Sequence, residues 1–215
     1  KKLGASLVND EGAWLVASED ERVLDILNSV RKEAEKKFAS KVGIGIDAAC
    51  STLFHDGIYR YNNKILKPDM QLAFFEQIVP NYNLFYVEDA FEQGDFKRFA
   101  SLNKFAGKNC LIVGDDLIAT QYNRLVGAIS TRSINAVIIK PNQNGSLLEL
   151  ARIFDLCRRS RIKTILSHRS GETLDSDLDD YAVGFGADYI KCGVATPWRE
   201  VKLNRLVEIE EKTVA

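Results

Sequence analysis

The chain has 215 residues, 46% hydrophobic and 27% charged, with a formal net charge of −1. That composition fits a globular domain with one sizeable core, and its dispersed basic residues point to no nucleic-acid or membrane partner. No apolar run approaches the ~20 residues that span a bilayer. Without a signal-peptide pattern, and with Cys50, Cys110, Cys157 and Cys192 far apart and no CxxC pair, a cytoplasmic protein with reduced thiols is expected, three of them core filler. The sequence opens KKLGASLVNDEG without an initiator methionine, and is expected to be processed or part of something longer.

The first pattern is helical. In SEDERVLDILNSVRKEAEKKFA the residues Val23, Ile26, Leu27, Val30, Ala34 and Phe38 share one face. Ser18 and Glu21 have the spacing of a capping box at its start. VGIGID follows, ending at Asp47, and then His55 in FHDGIY, which reads as a plain turn residue. LFYVED reaches Glu88 and Asp89, CLIVGDD reaches Asp115 and Asp116, and NAVIIK ends at Lys140. A second capping box, Ser146 to Glu149, precedes a helix with Leu150, Ile153, Phe154 and Cys157 facing inward. KTILSH then runs into SHRSGET, and DYIKCG carries Lys191. The last helix, WREVKLNRLVEIEEK, is expected to bury Val201, Leu203, Leu206 and Ile209.

Six apolar runs rich in Ile and Val, each closing on a polar residue, read as strands buried on both faces of a parallel sheet. Polar ends at 88, 115, 140, 168 and 191 give a βα repeat of 23 to 28 residues. That is the mark of a (β/α) barrel or a doubly wound sheet. A nucleotide-binding doubly wound sheet calls for a glycine-rich turn such as G-x-G-x-x-G, and none is present. The expected fold is therefore α/β, a partial TIM (β/α) barrel with about six of the usual eight strands. Residues 1–215 form one barrel segment in this reading, and about two strands are missing upstream.

The strand ends suggest a chemistry. Asp47, Glu88 and Asp115 fall at the mouths of three successive strands, and three converging carboxylates need a compensating cation. An all-oxygen set of this kind suits Mg²⁺. Asp89 and Asp116 point to the opposite side and are assigned supporting or capping roles. Lys140, ending a buried strand beside a divalent ion, has its charged form disfavoured and can act as a base. Lys191 can pair with a substrate carboxylate. Arg169 offers a planar fork for phosphate or carboxylate, Ser170 adds a donor, and Gly171 lets the backbone approach an anion. His168 is either part of this corner or structural. A metal, a lysine base and an anion corner suit proton abstraction next to a carboxylate, the known arrangement of the enolase superfamily.

SHRSGET, VGDDL, IIKPNQNGSLLE, VED with Phe91 after it, and IKCG followed by LNRLVEIEE run in the same order as in the C-terminal barrel of enolase, and the chain resembles that family over nearly its whole length. The resemblance implies a lyase of glycolysis, the Mg²⁺-dependent phosphopyruvate hydratase that interconverts 2-phospho-D-glycerate and phosphoenolpyruvate. It implies that Asp47, Glu88 and Asp115 hold the tighter magnesium, and that Lys140 takes the C2 proton. Glu11, in NDEGAW, matches the acid that helps the C3 hydroxyl leave. Ser167, His168, Arg169 and Ser170 match the substrate-binding stretch, and Lys191 the lysine that neutralises the substrate carboxylate.

Departures from the family pattern lie at DEGA, AACSTLF, Ala90 and KCGVATPWRE. The family's N-terminal α+β domain and the first barrel strands have no counterpart here. The resemblance thus implies a partner polypeptide supplying that front portion, and a homodimer or higher assembly. Two other readings stand beside it: a degenerate, non-catalytic enolase-like assembly subunit, and a metal-independent aldolase with Lys140 as Schiff-base nucleophile.

Overall fold

The computed structural model describes residues 7–9, 12–16, 18–193 and 196–214; Glu11 lies outside them. Strands β1 (Leu7–Val8) and β2 (Trp14–Leu15) form an antiparallel ribbon, followed by helix α1 (Asp20–Phe38) and β3 (Ile44–Asp47). A short 3-10 turn leads into an antiparallel sheet of β4 (Phe54–His55), β5 (Ile58–Arg60) and β6 (Ile65–Leu66). Then come α2 (Pro68–Asn81), β7 (Leu84–Glu88), α3 (Phe96–Ala106), β8 (Leu111–Gly114), α4 (Tyr122–Thr131) and β9 (Ala136–Ile139). The chain continues through α5 (Pro141–Asn144), α6 (Leu147–Ser160), β10 (Lys163–Ser167), α7 (Asp177–Phe185), β11 (Tyr189–Lys191) and α8 (Pro197–Val214).

The six apolar runs form one sheet in the order β11-β10-β9-β8-β7-β3, and every neighbouring pair is parallel. Alternation along the strands separates two apolar layers. Val87, Ile112, Val137, Ile139 and Leu166 face the helices and meet Phe75, Phe99, Leu125, Leu150 and Ile153 in the main core. Val113, Ala136, Ile138 and Ile165 pack with Tyr86 and Leu111 in a small inner layer. The sheet curls into a half-barrel. At its rim Lys191, on one edge strand, lies 2.8 Å from Asp47 on the other, although β3 and β11 share no ladder.

Helix α6 follows the sequence closely. The Ser146 side chain accepts a hydrogen bond from Glu149 N, and Leu150, Ile153, Phe154 and Cys157 are the buried residues. Helix α1 does not. It starts after Glu19 with no side-chain cap, so the Ser18–Glu21 capping box is absent, and Glu21 instead pairs with Lys64. Of its apolar residues only Leu24 is buried, while Leu27, Val30 and Phe38 stay exposed. The apolar period is present, but β3 and the β5–β6 ribbon cover little of the helix. In α8 the expected Val201, Leu203, Leu206 and Ile209 are half-buried, and the fully buried positions are Arg199 and Lys202. Polar backbone at the rim, not apolar surface, meets that face of the helix. His55, read from sequence as a turn residue, is exposed but ends β4, paired with Ile58 across the Asp56–Gly57 turn. All four cysteines are free, with Cys50, Cys110 and Cys157 buried and Cys192 half-buried.

Candidate active site

The inner-face alternation continues past the strand ends, so the residue two positions after each inner side chain stands on the rim. Glu88 follows Tyr86, Asp115 follows Val113, Lys140 follows Ile138, and Ser167 follows Ile165. Asp47 closes β3 and Lys191 closes β11. Gly45 permits the crowding below: a Cβ there would lie 3.0 Å from the Tyr86 Cβ.

Two ion-paired groups occupy the rim. Lys191 Nζ lies 2.8 Å from Asp47 Oδ2 and 2.8 and 2.7 Å from the two oxygens of the fully buried Glu88. Burial pushes the Glu88 carboxyl above the usual carboxylate range, Lys191 opposes this, and Asp47 adds to it. Burial alone would lower Lys191, but Glu88 and Asp47 outweigh it and hold the ammonium form. The Tyr86 hydroxyl is bonded to Glu88 Oε2. Burial first, then the charges of Glu88, Asp47 and Asp115, raise its proton affinity, so it stays a donor under the acids. In the second group Lys140 Nζ contacts Asp115 Oδ2. The Lys140 backbone is anchored by Thr120, whose hydroxyl accepts from Lys140 N at 3.0 Å and donates to Gln143 at 2.9 Å.

Asp89 serves the backbone. Its two oxygens accept from Asp115 N at 3.0 Å and Asp116 N at 2.8 Å, which ties the end of β7 to the end of β8. Burial lifts its carboxyl to about 7 against the pull of those amides. The carboxylates of Asp89, Asp115 and Asp116 lie within 4.8 Å of one another and are a candidate cation group among the described residues. It shares Asp115 with the set expected from the sequence and differs in the other two, because Lys191 stands between Asp47 and Glu88. Asp115 Oδ1 is buried and has no hydrogen-bond partner. That orphaned acceptor and the all-oxygen donors around it fit a hard divalent cation.

The SHRSGET segment lines the remaining arc. Ser167 is buried, Ser170 is exposed, and Arg169 Nη1 reaches Asn142 at 3.4 Å. The His168 ring meets the Arg199 guanidinium and accepts from Gly193 N at 3.3 Å. The structure thus brings Asp47, Glu88, Asp115, Lys140, His168 and Lys191 to one rim.

Residues 1–215 match the family described as "Enolase, C-terminal TIM barrel domain". The chain belongs to the enolase family. It is 37% identical over 201 residues to the enolase of Natronomonas pharaonis, covering 94% of this chain and 50% of that protein. It is 39% identical over 204 residues to the enolase of Pyrobaculum aerophilum, covering 94% and 48%. With the enolase of Archaeoglobus fulgidus it shares 37% over 202 residues, covering 94% and 50%. The chain spans about half the length of the curated relatives it matches. No helix among the described residues is long and apolar enough to cross a membrane.

In this enolase barrel the altered AACSTLF segment builds a buried polar knot. Gln71 Nε2 donates to Cys50 Sγ at 3.2 Å and to Ala90 O at 3.1 Å, and the Tyr61 hydroxyl joins it. Burial pushes the Cys50 thiol up to about 12, so it is inert. Four supporting residues escaped the sequence reading: Tyr86, Thr120, Arg199 and Lys202. Tyr86 was open to inference, since it lies two residues before Glu88 on the same strand face. Thr120 and the two α8 cations carry no local signal, because their partners are remote in sequence.

Proposed function

We propose that this chain is the barrel portion of an enolase that interconverts 2-phospho-D-glycerate and phosphoenolpyruvate, working with the front half that its relatives carry. The observation that supports this best is the meeting of Lys140 with Asp115 beside the Lys191–Asp47–Glu88 group on one rim. In this reading Lys140 Nζ takes the proton from C2, and the freed electron pair moves into the substrate carboxylate, whose charge Lys191 faces. The pair then returns to form the C2–C3 double bond as the C3–O bond breaks. The departing hydroxyl takes a proton from Glu11 and leaves as water, so substrate equals product plus water. Ser167 to Ser170 hold the substrate, with Arg169 and Ser170 on the phosphate. Asp47, Glu88 and Asp115 would hold magnesium, which when bound neutralises charge on the substrate carboxylate. The protein is assigned to the cytoplasm.

The test is co-production with an enolase front half, followed by Mg²⁺-dependent growth of phosphoenolpyruvate absorbance. Turnover is expected in the assembled protein and its loss in Lys140→Ala with the fold retained; undiminished turnover in that variant removes Lys140 as the base. A second reading, a non-catalytic assembly subunit, draws on the way the two lysines already neutralise the rim acids. Calorimetric titration of the assembled protein with Mg²⁺ and 2-phosphoglycerate separates the two, since the second reading requires both heats to be absent.

A further inference from the structure

We propose that Arg199 and Lys202, the two buried cations of α8, are positioning residues that clamp segment 168–172 from behind the rim. They seat the His168 ring against the Gly193 amide and hold the Arg169 backbone through Glu172. This rests on the enolase reading only for what the segment binds.

Each cation is 1% exposed, and Arg199 Nε and Nη2 find no partner, a costly placement for a charge unless its donors are used. Lys202 uses them on a stretch without regular structure. Its Nζ reaches Thr173 O at 3.1 Å, Asp175 O at 2.8 Å and Trp198 O at 3.1 Å, and pairs with Glu172 Oε2 at 2.7 Å. The other Glu172 oxygen accepts from Arg169 N at 2.8 Å. The path from α8 to the anion corner is thus Lys202, Glu172, then the Arg169 main chain.

Arg199 makes the second point of the clamp. Its Nη1 contacts His168 Nδ1 and lies 2.9 Å from Nε2. Gly193 N donates to Nδ1 from the other side. The guanidinium lies against both ring nitrogens, but the Gly193 amide can only donate, so Nδ1 carries the lone pair and the proton sits on Nε2. The close approach needs Gly193, because a Cβ there would fall 2.4 Å from Arg199 Cδ. The charged groups facing the ring agree. Burial, then Arg199 on α8 and Lys191 on β11, bring His168 down to about 4, Glu172 opposes this, and Lys140 beyond β9 adds to it. A neutral imidazole with Nε2–H is a donor for an anionic oxygen, and it holds that state across the physiological range.

Nitrogen NMR of the histidine-labelled chain tests this. His168 is expected as the Nε2–H tautomer with a midpoint near 4. Arg199→Gln should raise that midpoint by about one unit or more, tenfold in proton affinity. Arg199→Lys, which keeps the cation, should restore part of the shift. In Glu172→Gln the Arg169 amide should exchange roughly tenfold faster, as loss of a charged hydrogen bond implies. An unmoved midpoint in Arg199→Gln, or unchanged Arg169 exchange in Glu172→Gln, overturns the clamp. Should Arg199→Gln not fold, Arg199→Lys and Glu172→Gln carry the test. None of these readouts uses turnover, so a wild-type clamp in an assembled protein without activity would count against the enolase reading alone.

Discussion

Lys191 is the side chain on which the rim depends most. It is the cation that meets Glu88, whose carboxylate is fully buried. Lys191→Met leaves that acid unpaired and is expected to cost about 3 kcal/mol in urea unfolding, the range for breaking a buried pair. Adding Glu88→Gln should recover much of the loss, because no uncompensated charge then remains. Asp179 offers a separate test with a pH sign. It is buried on α7 with both oxygens unpartnered, and burial, against the pull of Lys202, lifts its carboxyl from 3.8 to about 7. A raised carboxyl favours the fold when protonated, so its contribution is full below about 3.8 and is lost as pH rises through about 7. Asp179→Asn is therefore expected to be more stable than wild type at pH 8, by about 1–2 kcal/mol. Thermal melts should show the advantage vanishing near pH 4.

The helices differ in how far their own sequences decide them. In α6 the cap and the inward face were both legible, because Ser146 bonds Glu149 N locally and the apolar stripe meets the sheet. Ser146→Ala should cost about 1 kcal/mol in chemical unfolding. The equivalent change at Ser18, which caps nothing, should stay within about 0.5 kcal/mol. An equal cost at both sites would contradict the different helix starts seen here. The sequence signal at Ser18 and Glu21 is as good as at Ser146 and Glu149. What separates them is a rival partner for Glu21, namely Lys64, which only the fold brings near. Helix α8 shows the reverse case. Arg199 and Lys202 look like surface residues in sequence and are buried because loop carbonyls and His168 await them.

At the scale of the molecule the half-barrel leaves β3 and β11 as edge strands. Apolar side chains are exposed at Trp14, 64%, and Phe38, 65%, among others. Open edges and exposed apolar surface favour association. Sedimentation of the chain alone over a concentration series should show growing oligomers, and co-production with an enolase front half should suppress them. A concentration-independent monomer would show that the exposed surface is not sticky enough to need covering.

The six parallel strands of the main sheet and their rim positions were legible in the sequence, since a period of two and a βα repeat are local properties of the chain; the antiparallel pairs of β1–β2 and β4–β6 were not. The resemblance of SHRSGET and its companions to enolase supplied the chemistry those positions were expected to serve. Tertiary structure alone decided which lysine meets which acid: Lys191 reaches Asp47 because the sheet curls, bringing together residues that are 144 positions apart. It also decided that Asp89 caps backbone amides and that α8 turns two cations inward. Such pairings follow from how the sheet bends and what each buried polar group finds within hydrogen-bond reach, and neither is encoded in any short stretch of residues.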